Sequence, residues 1–284
     1  MTNQESPKFF PKDRSKPFFS YGVFRPGELA YFRLKRFVRI AKPGLVARAA
    51  YVRDGLLIAD ESRVGQIEGD ILYFSPAEID YAYSAISDLE PTKQYSWGIT
   101  ETSSGEIVNI LWGKRPRTGS NELDYVWSSW EDPIFNIGLS VVREQLKLNQ
   151  DDKFPDLTPT FKLQMAYFLL WSSLERYASF RYYLGGKPML KILKVSEELA
   201  FREKLREVVT ESREIVRADD PSEVCYLVKD DPKKSINYYY QVRSNMVHHG
   251  KSMWRDHGIL FNSTHELLQI FEHMLASSKK DSGR

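Results

Sequence analysis

Arg243 and His248 are the two side chains of this 284-residue chain best suited to act on a phosphodiester. They lie in Tyr238-Tyr239-Tyr240-Gln241-Val242-Arg243-Ser244-Asn245-Met246-Val247-His248-His249-Gly250-Lys251. A guanidinium is permanently charged and grips a phosphate through two parallel hydrogen bonds. An imidazole exchanges a proton near neutral pH. Together they supply a cation for the phosphate and a proton carrier beside it, which is what RNA cleavage by the ribose 2′-hydroxyl needs. Gly250 is the residue type expected just past a helix C-terminus. The helix dipole there favours the charged form of His248 or His249. On an ideal helix the positions of Arg243 and His248 are turned about 140° apart. They converge if the helix end loosens, or if a second copy completes the site across a dimer, the arrangement favoured here. The plainer alternative is a partly exposed charge and a capping imidazole on a core helix.

The extended string resembles the HEPN superfamily, whose ribonucleases carry Arg, four to six residues, then His on one helix. The likeness takes in Gln241, Val242, Asn245, Gly250 and Lys251. It extends to Trp171-Ser172-Ser173-Leu174-Glu175-Arg176-Tyr177, similar to a stretch on the helix that lies against the motif helix in that superfamily. The resemblance implies an all-α bundle, a homodimer and metal-independent endoribonuclease activity on RNA. Arg243 would hold the phosphate and His248 transfer the proton, with Asn245, His249 and Lys251 assisting. Glu175 would orient Arg243, unless it pairs with Arg176 or Lys187 instead. A toxin or phage-defence setting, with an antitoxin as partner, follows from the same likeness.

A second candidate site lies early in the chain. Tyr21-Gly22-Val23-Phe24-Arg25-Pro26-Gly27 follows a short apolar strand, and its glycines allow a tight turn with amides exposed to a small anion. Taken with Gly65 to Ile71, then Ile86-Ser87-Asp88-Leu89-Glu90 and Tyr95, this order resembles the γ-glutamylcyclotransferase-like fold over about residues 16–116. The resemblance implies that Tyr21, Gly22, Val23, Phe24 and Arg25 bind a γ-glutamyl or amino-acid-like ligand and that Glu90 is the general acid/base. A carboxyl in a closed pocket can have its pKa raised enough to shuttle a proton. The plain alternative for Glu90 is a solvated acid at a helix end.

The elements that must position these residues are legible in outline. Residues 1–16 read as a mobile arm. Strands are expected over 46–52, 65–74, 95–100 and 107–112, with helices over 28–39 and 77–87. They form a small, barrel-like α+β domain over 17–116. Arg33, Lys35, Arg36 and Arg39 would line one side of the first helix, either as an RNA platform or, more simply, as a solvated face. Residues 117–132 form a linker rich in breakers. From 133 to 284 the pattern is helical: 133–148, a long helix opened by Thr158-Pro159, then 195–210, 235–249 and 264–277, with a loop over 219–232. The fold class is therefore α+β followed by an all-α HEPN-like bundle.

Composition sets the outer limits. A net charge of +2 does not by itself argue for nucleic acid, and 42% apolar residues describe an ordinary folded domain. Cys225 is the only cysteine, so neither a disulfide framework nor a cysteine metal site is expected, and His257, His265 and His273 are too scattered for a cation. No cofactor is expected. The start lacks a secretory pattern, and the apolar run 161–180 carries Lys162, Glu175 and Arg176, so the expectation is cytoplasmic with no membrane partner. The leading expectation is a HEPN-type endoribonuclease with a ligand-binding first domain. Its rivals are γ-glutamyl cyclisation in that first domain and a non-catalytic HEPN scaffold for RNA or protein.

Overall fold

In a computed structural model the chain is described over residues 9–53, 56–90, 93–114, 121–122, 127–149, 157–182, 188–249 and 256–283, apart from the side chains of residues 53, 56, 121, 122, 188, 248 and 249. The fold is mixed α+β. It divides into two compact units: Met1–Asp132 with Phe180–Gly185 and Lys279–Arg284, and Pro133–Ser179 with Gly186–Ser278.

The first unit is built on a five-stranded mixed sheet. Its strands are β1 (Phe18–Ser20), β2 (Val38–Val46), β5 (Ile67–Phe74), β6 (Tyr95–Glu101) and β7 (Ile107–Gly113), in the order β2-β5-β1-β7-β6. β1 runs antiparallel to β5 and parallel to β7. Strand alternation sends Phe19 to one face and Phe18 and Ser20 to the other. Phe19 fills space that only glycine leaves open: a Cβ at Gly69 would lie 2.7 Å from its ring and 2.5 Å from Ser20 O. A smaller sheet orders β4 (Leu56–Asp60), β3 (Ala49–Arg53) and β8 (Asn121–Glu122) as β4-β3-β8. One helix, α1 (Ile79–Leu89), buries Ala82, Tyr83, Ile86 and Leu89.

Three expectations for this unit change. No helix forms over 28–39; a 3-10 turn at Tyr31–Arg33 leads through further turns into β2. Bonds such as Arg33 N to Ala30 O, Leu34 N to Tyr31 O and Phe37 N to Leu34 O are i→i+3. Such turns repeat nearly every three residues, so they bury Leu34 and Phe37 with a spacing close to a helix's. Arg33, Lys35, Arg36 and Arg39 therefore share no helix face. Residues 9–16 are packed: Phe9 O accepts from Trp97 Nε1 at 3.0 Å, and Asp13 O from Asn109 Nδ2 at 2.7 Å. The main sheet runs open between β2 and β6 among the described residues rather than closing as a barrel. β2 is exposed from Arg39 to Pro43, and its charges, together with a proline lacking an N–H, suit an unpaired edge.

The second unit is mostly helical. It contains α2 (Leu139–Leu148), α3 (Leu157–Tyr182, to Ser179 in this unit), α4 (Pro188–Glu197), α5 (Leu199–Val208), α6 (Pro232–His249) and α7 (His257–Ser282, to Ser278). α3 lies along α6: Tyr167 OH donates to Tyr239 O at 2.7 Å, and Trp171 meets Tyr240 edge to face at 5.7 Å. The continuous helix expected over 195–210 is broken at Glu198, whose backbone is extended at φ −64°, ψ 138°. Its carboxylate takes a 2.7 Å hydrogen bond from Tyr177, a tertiary contact that the local pattern does not contain. Within the loop expected over 219–232, residues 224–227 form a strand, β10 (Val224–Leu227), which pairs with β9 (Arg213–Val216) as a hairpin packed against α6. No described helix is long and apolar enough to cross a membrane.

Candidate functional site

Glu90 ends α1. Its N–H closes the last turn on Ile86 O at 3.0 Å, and its backbone turns extended, leaving the carboxyl at the negative end of the helix. It faces a cavity of about 30 Å³ whose walls include Ser20, Tyr21, Gly22, Val23, Phe24 and Tyr95. Burial pushes the Glu90 pKa up to about 8, so the group is mostly protonated at neutral pH. Burial also raises Tyr21 strongly, with the Glu90 charge adding to it. The Tyr21 hydroxyl is anchored to Leu111 O and accepts from Ala59 N at 3.5 Å, which fixes the ring as a wall. Ser20 Oγ is buried on the Phe18 side of β1 and meets no hydrogen-bond partner among the described residues.

Four of the five loop residues named from sequence line this cavity. Arg25 does not. The turn closed by Arg25 N to Gly22 O at 3.0 Å reverses the chain, and the Arg25 guanidinium pairs with Asp70 at 2.8 Å. Gly27 continues the loop with φ 89°, a conformation that favours glycine. Sequence reasoning missed Trp127, Leu57 and Leu111 as walls. Trp127 lies in the stretch expected to be linker, where nothing marked it. It is held from the loop side: Glu28 accepts from Ser129 N at 2.7 Å, Ser129 Oγ at 2.6 Å and Ser128 Oγ at 3.1 Å, and Trp130 Nε1 donates to Gly27 O at 2.7 Å.

The second candidate site is on α6. Arg243 lies over the Tyr240 ring, 5.6 Å from its centroid, and its Nη2 is 3.9 Å from Glu175 Oε1 on α3. The two side chains are 25% and 32% exposed, so the guanidinium is oriented without being sealed from solvent. His248 and His249 close α6, but their side chains lie outside the described residues, as does Lys251 entirely. α6 stays helical through His249, which keeps the Arg243 and His248 positions on different sides of one helix.

Asn245 is a correction. It is fully buried and its hydrogen bonds are internal: Oδ1 accepts from Ala218 N at 3.0 Å and Gln241 Nε2 at 2.7 Å, and Nδ2 donates to Val216 O at 2.9 Å. It straps the hairpin to the motif helix and contacts no open surface. Among the described residues no group of three or more His, Cys, Asp or Glu side chains converges as a metal site would require.

No family model matches the chain, and no curated protein matches it. A solved structure that does match is that of an uncharacterized protein from Pyrococcus horikoshii. It has 18% identity over 38% of this chain and 86% of that chain, at a TM-score of 0.30, a level that carries no argument about fold or function.

Proposed function

We propose that the first unit holds a γ-glutamylcyclotransferase-type pocket in which Glu90 moves a proton on an amino-acid-like ligand. The observation that carries this reading is the convergence of a carboxyl titrating at about 8 with the Tyr21–Phe24 loop around one cavity. In the reaction, the ligand's α-amine attacks its own γ-carbonyl carbon. The new C–N bond closes 5-oxoproline as the old amide C–N bond breaks. The proton leaving the attacking amine passes to Glu90, and from Glu90 to the departing amine. A group titrating near working pH suits both transfers. At about 30 Å³ the cavity takes one or two waters, so a γ-glutamyl group enters only as Phe24, Leu57 or Trp127 swings aside. The test is 5-oxoproline release from γ-glutamyl dipeptides. Glu90→Gln should slow it by about 10²- to 10⁴-fold; release at an undiminished rate rules the reading out.

A second reading is favoured by the Arg243–Glu175 contact: a HEPN-type, metal-independent endoribonuclease. Arg243 holds the scissile phosphate and His248 transfers the proton, leaving a 2′,3′-cyclic phosphate and a 5′-hydroxyl. A homodimer through the helical unit brings His248 of one copy toward Arg243 of the other, and a toxin or defence setting with an antitoxin belongs to this reading. Arg243→Ala and His248→Ala should each lower cleavage of single-stranded RNA in EDTA by at least about 10²-fold with the helical signal intact. Cleavage that survives both changes removes it.

A further inference from the structure

One polar side chain in the wall of the Glu90 cavity has no internal task. Ser20 is 1% exposed, and its Oγ meets no hydrogen-bond partner among the described residues. Side chains alternate along β1, so Phe18 and Ser20 share the face that borders the cavity, while Phe19 packs on the other face against Gly44 and Gly69. Ser20 lies directly across from Asp70 on β5, and residues paired in this way turn their side chains to the same face. The Asp70 carboxylate is taken instead by Arg25 Nε at 2.8 Å and does not serve the serine. Tyr21, the next residue, is also committed: its hydroxyl donates to Leu111 O and accepts from Ala59 N. Phe18, Val23, Phe24, Leu57 and Leu111 supply apolar surface around the same cavity. A buried hydroxyl without a partner is disfavoured, and an alanine would occupy the strand position without that cost. A hydroxyl kept free in a cavity that Glu90 also faces is the arrangement expected of a group whose partner arrives with the ligand.

We propose that Ser20 is a further ligand-binding residue of this site, its Oγ–H donating to the γ-carbonyl oxygen of the acyl group on which Glu90 acts. The assignment deepens the cyclotransferase-type reading and rests on it for the identity of the ligand. As the ligand's amine attacks the carbonyl carbon, the C=O electron pair moves onto that oxygen, and it returns as the old amide C–N bond breaks. A donor at the oxygen therefore holds the charged intermediate more tightly than the ground state, so Ser20 acts chiefly on kcat. The experiment follows 5-oxoproline release from γ-L-glutamyl-L-alanine by wild type, Ser20→Ala and Ser20→Cys, and the melting of each protein without ligand. Ser20→Ala should lower kcat by about 10²-fold and move KM by less than about threefold. Ser20→Cys fills the space with a thiol that is a weak donor, and should lose a similar factor. Without ligand, Ser20→Ala should melt at or above the wild-type temperature, because it removes a hydroxyl that has no partner. Wild-type turnover in Ser20→Ala, with Glu90→Gln still slow, overturns the Ser20 assignment and leaves the cyclotransferase-type reading in place. Full turnover in Ser20→Cys also overturns it, since the position would then serve packing alone. A ligand-free Ser20→Ala protein that melts well below wild type shows that the hydroxyl has a structural duty, and overturns it too. No 5-oxoproline from the wild type removes the reading and the assignment together.

Discussion

Glu90 shows how one residue's chemistry follows from where its chain segment ends. α1 delivers it to a wall of aromatic and aliphatic side chains, and loss of water disfavours its ionised form. The consequence for stability has a definite sign. The carboxyl's ordinary value is 4.5 and the fold raises it to about 8, so between those values the folded state holds a proton that the unfolded chain has released. Stability from this group is complete below about pH 4.5, falls as pH rises towards 8 and is level above. The loss is on the order of a few kcal/mol. Thermal melts from pH 5 to pH 9 should show this decline in the wild type and a much flatter profile in Glu90→Gln. An identical decline in the variant would assign it elsewhere. The sequence pointed to Glu90 and the Tyr21–Phe24 loop through the order of their motifs, a likeness to a known fold, since a glycine turn and an acid at a helix end are common by themselves. It could not show that Arg25 turns away, because Asp70, its partner, lies 45 residues along the chain.

At the scale of elements, the motif helix is held by contacts rather than by its own propensity. Tyr238, Tyr239 and Val242 are fully buried, and the β9–β10 hairpin is tied to the edge of the same buried arc through Asn245. Replacing Asn245 by Ala leaves Ala218 N–H and Val216 C=O without their partner. This should cost about 3 kcal/mol in urea unfolding. A change under about 0.5 kcal/mol would mean the hairpin is not anchored there. A Thr-Pro opening marked α3, and periodicity marked α2. It missed the hairpin, because strands of four residues are too short to display a period and the hairpin's backing is supplied by α6. The same limit explains residues 28–39, where successive i→i+3 turns imitate a helix.

The first unit recruits chain from far away: Trp127 meets Phe180 edge to face at 6.1 Å, Phe32 meets Tyr182 at 6.1 Å, and Arg181 lies over Phe32 at 4.1 Å while donating to Leu29 O. A fragment ending at Asp132 lacks all three later partners, a loss on the order of 3–5 kcal/mol for a buried aromatic alone. It should show weak near-ultraviolet dichroism and an uncooperative melt, even though a sequence rich in turn formers invites a cut before it. A cooperative melt near that of the whole chain would contradict this. By itself the sequence determined what is written in near neighbours: helix periods, a glycine loop ahead of an acid, and an Arg and a His on one helix. Only the tertiary structure decided what depends on meetings across the chain: the closed pocket that keeps Glu90 protonated, the internal duty of Asn245, the pairing of Arg243 with Glu175, and residues 180–182 completing the first unit. The physical reason is range. Backbone preference and periodicity act over a few residues, whereas desolvation and ion pairing depend on every group within a few ångströms in space, whatever its place in the chain.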